Sequence, residues 1–149
     1  LNKNIIDSSP VDKNFLVNES SEQYDEKKDF TTLEAWIKCK EVKLFFYKKI
    51  IPLLPEEEKF NLEFQIRKAS ISITSNIAEG YGRYHYQESV QFYRISRGSL
   101  FELKDHLISC SDLEYVDINL KLSGEELIES AKKILNGYIN YVGNKIKKR

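Results

Sequence analysis

The sequence predicts an all-α protein, an antiparallel up-and-down four-helix bundle preceded by a disordered N-terminal tail. Three observations carry that reading. Four segments of roughly 20 residues place apolar side chains at spacings of three and four, the period of one buried helix face. Six Gly and three Pro in 149 residues leave too little turn material for an all-β sandwich or barrel. The links between the apolar segments are short, which suits antiparallel neighbours.

Residues 1–30 read as a flexible tail and residues 31–149 as the bundle domain. In the tail, apolar pairs such as Ile5 with Ile6 and Phe15 with Leu16 stand among Asn, Ser, Asp and Lys without a sustained period. Such a stretch buries too little surface to offset its ordering entropy. Thr31-Thr32-Leu33-Glu34 then fits a capping box, the Thr31 hydroxyl on an early backbone N–H and Glu34 reaching back. Leu33, Trp36, Ile37, Leu44, Tyr47 and Ile51 make the stripe of the first helix. Lys40 interrupts it, with its stem expected along the core.

Pro52 and Pro55 separate this helix from the second, expected from Pro55 to Ala78 or Glu79, with Glu56, Glu57 and Glu58 at the positive end of its dipole. Leu62, Ile66, Ala69, Ile73 and Ile77 form its seam, and Gly80-Tyr81-Gly82 is expected to break it. The third helix, Tyr86 to Ser111, carries Phe92, Ile95, Leu100, Leu103 and Leu107. A loop over residues 113–122 leads to a second capping box, Ser123-Gly124-Glu125-Glu126. The fourth helix follows, its stripe running from Leu127, Ala131 and Leu135 through Tyr138 and Tyr141 to Val142 and Ile146. Lys145, Lys147, Lys148 and Arg149 sit at its negative end.

Twenty-three Lys and Arg balance 23 Asp and Glu, which argues against a protein that simply coats nucleic acid. The balance is uneven: residues 1–30 hold four basic against seven acidic residues, and the remainder 19 against 16. The chain has no Met and begins with Leu1, so it reads as a fragment, a processed form or the product of an unusual start codon. No basic-then-apolar signal segment stands at its start, and no apolar run approaches the roughly 20 residues that cross a bilayer. Cys39 and Cys110 are too few for a disulfide framework or a thiolate zinc site, and read as small buried hydrophobes in a reducing cytoplasm.

Catalytic patterns are missing from the sequence. His85 and His106 are the only imidazoles, without metal-ligand spacing and without the Glu-x-x-His pairs of a di-iron bundle. Gly80-Tyr81-Gly82 follows a helix and lacks the rest of a dinucleotide fingerprint, and no nucleophile elbow is present. The expectation is a non-enzyme with no cofactor, no metal and no small-molecule substrate.

Propensity leaves one stretch unexplained. Residues 69–80, ASISITSNIAEG, combine indifferent helix formers with β-branched Ile. A strand here would have no partner, and the flanks are helical. On a helix, Gln65, Ser72, Asn76 and Glu79 share one face. Two readings stay open: a packing seam whose small residues allow close helix approach, with Asn76 and Glu79 bonding backbone or Arg, or a functional surface at the helix end beside Arg83. Gly98, flanked by Arg97 and Ser99, costs about 1 kcal/mol against Ala in mid-helix and marks a close approach by another helix or another subunit. Arg67, Lys68, Arg83, Arg94 and Arg97 bracket the stretch, with Tyr81, Tyr84, Tyr86 and Tyr93 nearby. They suit phosphate contacts and stacking on unpaired bases, or else salt bridges to Glu79, Glu88, Glu102 and Asp105.

Gln65-Ile66-Arg67-Lys68-Ala69, Ser72, Ser75-Asn76-Ile77-Ala78-Glu79-Gly80 and Gly82-Arg83 together resemble the signature of a bacterial four-helix-bundle family encoded by intervening sequences within 23S ribosomal RNA genes. Trp36, Glu88, Phe92, Ile95, Gly98-Ser99-Leu100, Glu102-Leu103 and Leu107 extend the resemblance over residues 33–142. The resemblance implies a ring-like homopentamer with no enzymatic activity. It also implies a relationship to the accessory protein of diversity-generating retroelements, which binds a reverse transcriptase and nucleic acid through a basic surface. By motif position it points to Arg67, Arg83, Asn76 and Glu79. The expected function is a non-enzymatic, cytoplasmic oligomer that binds RNA or a ribonucleoprotein partner. The alternative is a protein-interaction scaffold with no nucleic-acid role.

Overall fold

The computed structural model describes residues 28–148. The tail expected over residues 1–30 lies outside the described residues as far as residue 27. Lys28 and Phe30 are docked: the Tyr81 hydroxyl donates to the Lys28 carbonyl at 3.0 Å, and the Phe30 ring meets Trp36 edge-on at 5.4 Å.

Asp29 starts the helical chain. Its carboxylate accepts from the Thr31 backbone N–H at 2.8 Å and from the Thr31 hydroxyl, and it caps a single 3-10 turn, Phe30–Thr32. The bond from the Thr31 hydroxyl is the main reason its carboxyl is held below the usual range. With that hydroxyl taken, the expected capping box does not form, and helix α1 (Glu34–Phe45) starts after Leu33 with no side-chain cap.

The stripe expected on α1 is also rotated. Ala35, Cys39 and Val42 are buried, while Ile37 and Leu44 lie outside and Trp36 and Tyr47 are half-buried. A π-helical turn, Phe46–Ile50, then shifts the helical phase, so that Phe45 and Phe46, adjacent in sequence, are both buried. Lys40 is exposed, and its ammonium lies over the Trp36 ring at 5.3 Å instead of along the core.

A 3-10 turn at Ile51–Leu53 and another at Glu56–Glu58 precede helix α2 (Leu62–Gly82), which begins later than the proline pattern suggested. Glu58 acts as a side-chain cap, accepting from the Leu62 N–H and from Asn61 Nδ2, both at 3.2 Å. The expected seam of α2 is correct throughout: Leu62, Ile66, Ala69, Ile73 and Ile77 are all buried. Gly80 does not break the helix, which runs on to Gly82. The left-handed turn into helix α3 (Tyr86–Asp112) is made by Tyr84, at φ 55°.

Leu100, Leu103 and Leu107 of α3 are buried as expected, but Ile95 is exposed. Its place is taken by Val90, Tyr93 and Ser96. Helix α4 (Ile118–Lys147) starts earlier than expected because Asp117 caps it, accepting from the Leu120 N–H at 2.7 Å. Ser123 sits inside the helix and donates to the Asn119 carbonyl at 3.0 Å. Gly124 is a contact residue: a Cβ there would stand 2.6 Å from Leu107 Cδ2 and 2.7 Å from Phe45 Cε1.

The four helices form a ring in which α1 packs on α2 and α4, and α3 packs on α2 and α4. Successive pairings run in opposite chain directions: Tyr47 with Arg67, then Lys43 with Thr74, between α1 and α2. Ser99 with Ser72, then Ser96 with Ile73, join α2 and α3; Lys104 with Glu129, then Arg97 with Asn136, join α3 and α4. This is the antiparallel up-and-down bundle. A single core fills it, built from residues of all four helices.

Candidate functional site

The residues that propensity left unexplained lie where α2 meets α3. The Ser72 and Ser99 hydroxyls are 2.7 Å apart, and Asn76 Nδ2 donates to the Ser72 carbonyl at 3.0 Å and to its hydroxyl at 2.9 Å. The buried Ser96 hydroxyl donates to the Ile73 carbonyl at 2.6 Å. Serine is poor for helix propensity but short enough to bring two backbones together, and each of these three hydroxyls has a hydrogen-bond partner on the opposite helix. Gly80 closes the seam. A Cβ at that position would stand 2.7 Å from Tyr93 Cε1, 3.0 Å from Phe92 Cβ and 3.0 Å from the Ser89 carbonyl oxygen. Ser72, Asn76, Gly80 and Ser99 therefore form a packing seam. The orphan of the set is Ser70, whose buried hydroxyl has no hydrogen-bond partner among the described residues.

Gly98 behaves differently. A Cβ there would meet nothing within 4 Å, so no helix among the described residues approaches it, contrary to the close helix contact its position suggested. Gly82 is equally open.

The five basic candidates do not gather in one patch. Arg67 lies toward α1. Its Nε and Nη2 donate to Glu63 Oε1 at 3.0 and 2.9 Å, and its guanidinium covers the Tyr47 ring at 5.1 Å. Lys68, next to it, is exposed on the outer side of α2. Arg83, at the far end of α2, pairs with Glu79 at 2.6 Å and lies over Phe92 at 4.8 Å. Arg94 and Arg97 face α4, on a different side of the bundle. Arg97 donates to the Asn136 amide oxygen at 2.9 Å. Arg94 borders a groove of about 700 Å³ between α3 and α4, where no carboxylate is among the lining residues. Arg67 and Arg83 thus have carboxylate partners, whereas Arg94 and Arg97 look onto amides.

Sequence reasoning missed most of that groove. Its walls are Gln87 and Gln91 with Arg94 on α3, and Asn140 and Asn144 with Lys147 on α4. The signal was available: Asn136, Asn140 and Asn144 recur every fourth residue, and Asn is an indifferent helix former. Farther along the same helix pair the character changes. Glu129 takes Lys104 of α3 at 3.1 Å and Lys132 at 3.0 Å. These two ammonium groups, Lys132 first, hold its carboxyl below the usual range.

Tyr93 and Tyr138, with ring centroids 5.1 Å apart, pack behind the seam. Burial pushes both phenols above their ordinary value. Cys39 and Cys110 are free and buried, and burial pushes their thiols up to about 12 and about 11. Among the described residues no three His, Cys, Asp or Glu side chains gather where they could hold a metal ion, and no helix is long and apolar enough to cross a membrane.

These features define a class: an antiparallel four-helix bundle with a hydroxyl-and-amide seam between its second and third helices and basic residues dispersed over its outer faces. The family model of the 23S rRNA-intervening sequence protein matches residues 31–137, more than two thirds of the chain. The chain belongs to that family. No curated protein matches it.

Proposed function

We propose that this protein is a non-enzymatic, cytoplasmic oligomer, a homopentamer by its family resemblance, that binds RNA or a ribonucleoprotein partner. The observation that carries the binding half is the environment of Arg94 and Arg97. Both lie on the α3/α4 side with amide neighbours, and neither has a carboxylate partner among the described residues. A bundle that used its arginines only for internal ion pairs would pair them as it pairs Arg67 and Arg83. Assembly also concentrates charge: five copies of a bundle with three excess cations carry about +15, enough to attract a polyanion if the charge is clustered.

Two observations support self-association. Phe64 and Ile71, seven residues apart on α2, share an outward face that no helix among the described residues covers. Phe60, just before the helix, is 88% exposed. Gly98 sits open in mid-α3 beside exposed Ile95, so nothing among the described residues of one chain explains its helix cost. A second copy packed there explains both.

Light scattering at micromolar concentration is expected to give a particle of several chains, and a monomer removes the ring. Titration of RNA binding against salt is expected to give affinity falling by a log–log slope of about 0.7 per neutralised phosphate. Absence of RNA binding at low salt leaves the scaffold reading, for which the Arg67–Glu63 and Arg83–Glu79 pairs speak.

A further inference from the structure

The groove between α3 and α4 is built unlike the rest of the surface. On α3, Gln87, Gln91 and Arg94 follow one another at four and three residues, so they share one face. On α4, Asn140, Asn144 and Lys147 do the same. All six line one open space of about 700 Å³. Gly143 lies among them, and a Cβ there would meet nothing within 4 Å. Helix α4 therefore accepts two exposed Asn and a Gly over five positions, each unfavourable in a helix, where nothing among the described residues packs on the glycine.

We propose that a single-stranded RNA lies in this groove, its phosphodiesters on Arg94 and Lys147 and its base edges against Gln87, Gln91, Asn140 and Asn144. The inference rests on the RNA-binding reading and moves the site away from Arg67 and Arg83. Cations alone would suit any anion. The four amides narrow the class, because each offers a donor and an acceptor side by side, and unpaired base edges present the same alternation. An acidic peptide meets such amides only through its backbone, its carboxylates being acceptors alone, so polyglutamate is the competitor that separates the two. At one end the groove shares Gln87 and Ile146 with a smaller hollow that His85 and Tyr86 also line, and the Lys145 ammonium, 5.6 Å from the Tyr86 ring centroid, adds a cation there.

The test uses the full chain and a fluorescein-labelled oligouridine of about 12 nucleotides, within the span of a single-strand site, with polyglutamate as the competing polyanion. Arg94→Ala and Lys147→Ala are each expected to weaken binding about tenfold, the scale of one lost charge-assisted contact, and to lower the salt slope by about 0.7. Gly143→Phe changes no charge, and is expected to abolish binding by filling the groove while circular dichroism stays as in the parent and the melting temperature does not fall. Arg67→Ala and Arg83→Ala are expected to bind as the parent does. Loss of binding in those two with the groove variants unaffected overturns the groove and leaves RNA binding standing. A parent that binds polyglutamate and not oligouridine, or neither, overturns RNA binding and the groove together.

Discussion

Gly80→Ala is the sharpest probe of the seam. The methyl group would arrive 2.7 Å from a ring carbon of Tyr93, which is almost wholly buried, and 3.0 Å from the Ser89 carbonyl oxygen, which is backbone. Neither neighbour is the free end of a flexible chain, so α2 and α3 must part by a fraction of an ångström. Overpacking of this kind costs about 1–3 kcal/mol. Stretching the Ser96-to-Ile73 and Ser72-to-Ser99 bonds removes about 1 kcal/mol more. Replacing a mid-helix Gly by Ala returns about 1 kcal/mol. The balance is a loss of about 2 kcal/mol. Gly137→Ala, in the middle of α4, is the control, because its methyl group meets nothing among the described residues and the helix gain of about 1 kcal/mol stands alone. Urea denaturation of the two variants should therefore move the midpoint in opposite directions, about 3 kcal/mol apart at unchanged slope. Equal stabilisation of both would refute the close-packed seam.

Further outcomes follow from other contacts. Asp117→Ala is expected to lower stability by about 1 kcal/mol through loss of the α4 cap, whereas Ser123→Ala stays within about 0.5 kcal/mol, both read by denaturation. Burial holds the Cys39 and Cys110 thiols protonated through neutral and mildly alkaline pH, so a thiol reagent at pH 8 should leave the native protein untouched and label two cysteines after unfolding. Glu129 has a lowered carboxyl value, so its contribution is complete at neutral pH and lost as pH falls through that lowered value. Glu129→Gln should remove this part of the acid dependence, seen by comparing urea curves at neutral and acid pH. Gly98→Leu is expected to shrink the assembled particle in light scattering while leaving the helical signal intact.

The helical architecture was legible because its main signals were redundant. The α2 seam from Leu62 to Ile77 repeats at three and four without a gap, and its burial follows the pattern residue by residue. Helix α1 was less legible for two physical reasons. Its inner face is made of Ala35, Cys39 and Val42, so the larger Ile37 and Leu44 drew the apparent stripe outward. The π-helical turn at Phe46–Ile50 then broke the phase on which any stripe depends. Helix α4 is capped by Asp117, inside the stretch expected as a loop, while Ser123-Gly124, expected to start the helix, lies within it, with Gly124 where Phe45 and Leu107 press against the backbone. Glycine carries the same ambiguity at position 80, where the demand is for space and not for a left-handed turn.

The candidate site was legible in composition and not in arrangement. The five basic residues cluster along the chain, but helical rotation and opposite chain directions send Arg67 toward α1, Arg83 to the end of α2, and Arg94 with Arg97 toward α4. Which of them has a carboxylate at hand depends on partners one turn away, such as Glu63 and Glu79. The Asn stripe of α4 was visible in the sequence but acquires meaning only when Gln87 and Gln91 stand across from it.

Ultraviolet cross-linking of the full chain to a short uridine-rich RNA, with the modified peptides located by mass spectrometry, tests the central claim most directly. Adducts are expected within residues 86–97 of α3 and 136–147 of α4. Adducts confined to residues 63–71 of α2, or none at low salt, would contradict it.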